Sequence, residues 1–203
     1  MIINTEIVDA YLNGEDMNKY SSLFIYKQAD RNIFQEPEKD KAEIISKIKD
    51  EIIHHVNDFI PCNKRIWDTL FIDWQNYLDN IILDLVVGCK EPNDAFVLKD
   101  LNGRHHMVFD LLCWEKYVGK ISLSKLSQNL LTHELFHVLI GKYYTDIEKS
   151  EHFGNYINKL DAITFNEGFA HLVSYNQQEI NSVEWEKLED IYIQSINVDC
   201  QII

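Results

Sequence analysis

Between Ser124 and Gly141 the apolar residues Leu126, Leu130, Leu131, Leu135, Val138 and Leu139 recur at the three-and-four spacing of a helix with a buried face. Ser122 or Ser124 supplies an oxygen to cap its start, and Gly141 suits its C-terminal end. Inside this run stands His133-Glu134-Leu135-Phe136-His137. Positions i and i+4 share one helix face, so the two imidazoles can converge on one cation, with Glu134 beside them as a general base for an activated water. The bland reading of the same residues is a half-buried, hydrogen-bonded histidine pair, with Glu134 paired to a lysine such as Lys125 or Lys142.

Thirty residues beyond His137 comes Asn166-Glu167-Gly168-Phe169-Ala170. The spacing predicts a second helix from about Asp161, as N-cap, to about Tyr175, with Phe165, Phe169, Leu172 and Val173 toward the core. A catalytic zinc takes three protein ligands and leaves one position open, and two histidines with a glutamate are a standard set. Glu167 is the candidate third ligand. His171 lies four residues further on the same face. It can be an outer contact, a substrate contact, a ligand in place of Glu167, or a plain core histidine, and His152 is a further candidate. Gly168 costs the helix about 1 kcal/mol relative to alanine, and close packing of the two helices is its expected purpose.

These strings resemble the gluzincin class of zinc metallopeptidases, in which a glutamate on a second helix completes the site begun by H-E-x-x-H. Asn166 to Ala170 is similar to the corresponding segment of the aminopeptidase N-type enzymes, and E-G-x-A recurs in small zinc proteases of unknown substrate. The resemblance covers His133 to His137 and Asn166 to Ala170. It implies an α+β, zincin-like fold, Zn2+ held by His133, His137 and Glu167, and Glu134 as the catalytic base. It also implies a peptide or protein substrate held along an edge strand by main-chain hydrogen bonds. Two departures stand out. The interval between His137 and Glu167 is longer than in the aminopeptidase N-type pattern. Position 171, where the thermolysin-like pattern has an acid that orients a ligand histidine, holds His171, so that role must pass to Asp161, Asn166 or a backbone carbonyl. A metzincin is excluded, since Ile140 and Tyr143 stand where its pattern needs glycine and histidine.

The clearest β signal lies upstream. Asn102-Gly103 reads as a two-residue hairpin turn, which sets Leu98 opposite Met107, Val97 opposite Val108 and Phe96 opposite Phe109. Strands are expected over Ala95 to Leu101, Arg104 to Trp114 and Ile81 to Val87, giving a small, mainly antiparallel or mixed sheet packed on the first metal helix. The segment Arg104 to Trp114 is the candidate substrate-holding edge, with an interior strand as the competing reading. The division expected is a helical N-terminal part, 1–80, leaning on a catalytic part, 81–203, in one compact unit. In the first part Ile44, Ile45, Ile48, Ile52, Val56 and Phe59 form one stripe. Ile66, Trp67, Leu70, Phe71, Trp74, Tyr77 and Leu78 form another, read as core rather than cleft. His54-His55 reads as a packed or solvated pair. Asn181 and Glu184 match a capping box for a last helix bearing Trp185, Leu188 and Tyr192.

With 19 basic and 33 acidic side chains the net charge is −14, which argues against a nucleic-acid partner and favours basic ligands or peptides. No stretch is long enough to span a membrane, and Met1 to Glu6 has no leader pattern, so a cytoplasmic address is expected. Cys62, Cys89, Cys113 and Cys200 show no C-x-x-C spacing and suit reduced thiols. The expected activity is zinc-dependent peptide hydrolysis, with Tyr143, Tyr144, His152, His171 or Tyr175 as an oxyanion donor. The alternative is a non-catalytic binding protein whose zinc site is closed by a fourth protein ligand such as His152 or His171, or an idle relative.

Overall fold

The run Ile81-Ile82-Leu83-Asp84-Leu85-Val86 carries apolar residues on both faces, the pattern of a strand covered from both sides, and it lies inside a four-stranded sheet. The structure, a computed structural model, describes residues 1–28 and 31–174. In chain order its elements are β1 (Ile2–Asn4), α1 (Glu6–Leu12), β2 (Lys27–Gln28), β3 (Arg31–Asn32), α2 (Ala42–Asn57), α3 (Lys64–Leu70), β4 (Ile81–Val86), β5 (Ala95–Lys99), β6 (His105–Asp110), α4 (Leu111–Trp114), α5 (Leu123–Tyr143), α6 (Thr145–Phe153) and α7 (Tyr156–Ser174). The main sheet has the order β1-β4-β6-β5, and β2 pairs with β3 apart from it. The β1–β4 and β4–β6 pairs are parallel and β5–β6 is antiparallel, so the fold is α+β with a mixed sheet.

The hairpin register differs from the expected one by a single residue. Leu98 faces His106, Val97 faces Met107 and Phe96 faces Val108. The loop holds three residues rather than two, since Asp100 and Arg104 still pair through Asp100 N to Arg104 O at 3.0 Å. Gly103 takes the left-handed conformation, φ 78°, that such a three-residue loop requires. The slip decides which side chains face the site, because a one-residue shift turns every residue over. Leu83, Leu85, Met107, Phe109 and His105 share one face, and Val97 and Lys99 join it from β5.

Two further expectations about this region change. Strand β6 ends at Asp110 instead of running to Trp114, because the Asp110 carboxylate accepts from Leu112 N at 2.9 Å and Cys113 N at 3.0 Å and so caps a helical turn. Arg104 to Trp114 is also not the edge: β6 is paired on both sides, and β5 is the edge strand on the site side.

Helix α5 follows its sequence reading closely. Ser122 caps it through its side-chain oxygen, although the helix runs past Gly141 to Tyr143. Its far face presses Phe136 edge-to-face against Phe71 and at a tilt against Trp67, and Trp67 also meets Trp74 edge-to-face. Trp67, Phe71 and Phe136 are fully buried, so the aromatic stripe of the N-terminal part is core. Each such pair adds about 1 kcal/mol beyond its buried area, and together they fix α5 against α3 and the segment that follows it. Helix α7 begins earlier than expected: Asn155 Oδ1 accepts from Asn158 N at 3.0 Å, so Asn155 rather than Asp161 caps it. Phe165 and Leu172 are exposed rather than buried, whereas Val173 lies in the core. Gly168 does not sit at a close helix contact, since a side chain there would meet nothing within 4 Å. The expected last helix and Tyr175 fall outside the described residues. Cys62, Cys89 and Cys113 are buried and unbridged.

Candidate functional site

Helix α5 brings His133 and His137 onto one face, and their Nε2 atoms lie 3.0 Å apart. Helix α7 packs across α5 and delivers Glu167 to the same point. Its carboxylate oxygens stand 3.5 Å from His133 Nε2 and 3.6 Å from His137 Nε2. Zinc bonds of about 2.0–2.2 Å in a tetrahedron put neighbouring donor atoms about 3.3–3.5 Å apart. The three separations bracket that edge length, and two imidazoles with a carboxylate are a donor set that zinc accepts. The residues present therefore fit a divalent zinc.

The orientation of His137 is set from outside this trio. The Glu151 carboxylate can only accept, so the Asn166 amide nitrogen donates to it at 3.1 Å, leaving Asn166 Oδ1 for His137 Nδ1 at 3.0 Å. His137 then donates from Nδ1, and its Nε2 lone pair is the one turned inward. Of the three groups that sequence reasoning offered for orienting a ligand histidine, Asn166 takes the role.

Charge and burial match this arrangement. Burial alone would raise the Glu167 carboxyl, but a hydrogen bond from His133 and the nearby imidazoles outweigh it and hold the group down at about 2. Glu134 is only 5% exposed, and Lys142 lies instead over the Tyr77 ring, 3.5 Å from its centroid. Burial lifts the Glu134 carboxyl to about 7, opposed by His133 and assisted by the charges of Glu167 and Asp94.

His171 stands behind His133, with ring centroids 4.8 Å apart. Burial holds its imidazole down at about 4. Its donor nitrogen falls within 4.8 Å of donor atoms of both His133 and Glu167, which makes a second trio sharing two members with the first. The trio containing His137 is the one whose third nitrogen is oriented by Asn166, and all of its members line a cavity.

A cavity of about 590 Å³ opens onto the trio. Its lining includes His133, Glu134, His137 and Glu167 from the two helices, and Ala95 to Lys99 along β5. His171 is not part of that lining. Of the other groups nominated as oxyanion donors, His152 lines the cavity. Tyr143 and Tyr144 are turned away, donating to the carbonyls of Ile72 and Leu70 at 2.6 and 3.0 Å. Sequence reasoning missed His105, Lys99, Glu148 and Glu151, which also line it. The spacing Glu148-x-x-Glu151-His152 at one helix face was the available signal for three cavity residues.

A family model described as "Putative zinc dependent peptidase (DUF5700)" matches residues 79–195, more than half of the chain and the whole of the region that carries the trio and the cavity. The chain belongs to this family. No curated protein and no solved structure matches it. None of the described helices is long and apolar enough to cross a membrane.

Proposed function

We propose that the protein is a zinc-dependent metallopeptidase of gluzincin type, with His133, His137 and Glu167 as metal ligands and Glu134 as general base. One observation carries the reading: two imidazole nitrogens and a carboxylate meet at zinc-ligand spacing at the wall of a cavity that also exposes a buried glutamate. When bound there, zinc lowers the pKa of a coordinated water to about 7 and polarises a carbonyl. Glu134, one residue from His133 and facing the cavity, takes a proton from the attacking water and delivers it to the leaving amine. Asn166 keeps His137 in the tautomer that presents Nε2.

Strand β5 supports an extended substrate. Asp94 O accepts from Asp110 N and Asp100 N donates to Arg104 O, each at 3.0 Å. Bonding to the partner strand alternates along an antiparallel ladder, so the even-numbered residues of β5 face β6. Val97 then turns its N–H and C=O outward along the cavity, where a peptide backbone can add as a further strand.

A second reading, a closed structural zinc site, is favoured by the nearness of His171 to His133 and Glu167. The Glu134→Gln variant separates the two. With zinc content and fold retained, the first reading expects cleavage of a peptide mixture to fall by several orders of magnitude. Undiminished cleavage in the variant, or no zinc-dependent cleavage by the parent protein, removes the peptidase assignment.

A further inference from the structure

The cavity has a direction. At one end of its β5 wall stands Ala95. At the other, Lys99 of β5 pairs with Glu148 of α6. That pair ties the edge strand to the helix opposite and so bars the end of the groove. Glu148 lies close over α5: a side chain at Gly141 would meet its carboxyl group at 3.2 Å, a tight contact that the glycine relieves. Gly141 is one turn beyond His137 on α5. Along the axis of α5 Gly141 lies about 6 Å from His137, so the bar stands on the same helix as the second histidine.

Resting on the metallopeptidase reading, we propose that Glu148 receives the free α-ammonium of the substrate, so that the enzyme trims residues from amino ends. Two arguments set the polarity. Antiparallel pairing is the commoner and stronger mode of strand addition, and a chain antiparallel to β5 brings its amino end to Lys99 and Glu148. Apart from Glu134 and the metal group, the lining carries Glu148 and Glu151 against one lysine, which suits an ammonium better than a terminal carboxylate. Lys99 is the movable half of the bar. Its side chain is 43% exposed, and exposed pairs hold weakly, so an incoming ammonium can take its place.

The test uses the full chain carrying E134Q, loaded with zinc, so that binding is read without turnover. Calorimetry compares the tetrapeptide Ala-Phe-Ala-Ala with its N-acetyl form. The free amine is expected to bind at least about tenfold tighter, the loss typical of one charge-assisted hydrogen bond. Adding E148Q should erase that preference with zinc stoichiometry unchanged, and adding K99A should keep it. Equal affinities, no binding of either peptide, or a preference that survives E148Q would overturn the assignment of Glu148. Cleavage by the parent protein is measured separately. Activity on internal bonds of long N-acetylated peptides would leave the peptidase reading standing and refute the amino-end proposal.

Discussion

Asn166 accepts a hydrogen bond from His137 Nδ1 at 3.0 Å, and this contact selects which nitrogen of that ring faces His133 and Glu167. The two residues sit on different helices, so the bond also sets the spacing of α5 and α7 at the site. Asn166→Ala is expected to weaken zinc binding by about 10- to 100-fold, the usual effect of removing a group that orients a metal-bound histidine. Competition against a chromogenic chelator measures it, and an unchanged affinity would show that His137 needs no such support.

Gly168 lies inside α7 with open space where a Cβ would stand. Gly168→Ala is therefore expected to stabilise the protein by about 0.5–1 kcal/mol, since alanine loses less conformational freedom in a helix. Urea denaturation reads the gain. A loss of stability instead would mean that α7 meets a partner at this position.

His105 gives stability a pH dependence. Burial and then the charge of Lys99 hold its imidazole down at about 4 against an ordinary 6.5, and it keeps a hydrogen bond with Tyr77 at 3.0 Å. In the unfolded chain this residue takes up a proton as the pH falls through 6.5, whereas in the fold it stays neutral until about 4. Its contribution is thus complete above the unfolded value and is lost on acidification between the two, by about 2 kcal/mol near pH 5. Denaturation midpoints at about pH 7.5 and about pH 5 should move less in His105→Gln than in the parent protein. Identical shifts would show that His105 titrates normally in the fold.

Much of the site could be read from residue order, and the parts that could not have specific causes. Helix α5 was legible because its apolar residues keep one period and Ser122 provides a cap. The start of α7 was not, since Ile157, Leu160 and Ile163 are exposed apolar residues that blur the distinction between faces, and Asn155 competes with Asp161 as a cap. The hairpin was visible, but its register depended on a loop one residue longer than the Asn102-Gly103 pair suggests. Nothing local distinguishes β5 from β6 as the edge, because both are apolar and the choice is made by β4, which lies along β6. Lys99 and Glu148, 49 positions apart, meet only through the tertiary fold.

X-ray absorption at the zinc edge of the zinc-loaded chain identifies the atoms around the metal. Two imidazole nitrogens at about 2.0–2.1 Å are expected, with light oxygen donors completing four-coordination, and the same spectrum after His171→Gln. A shell of three imidazoles that loses one in the His171 variant would contradict this ligand set.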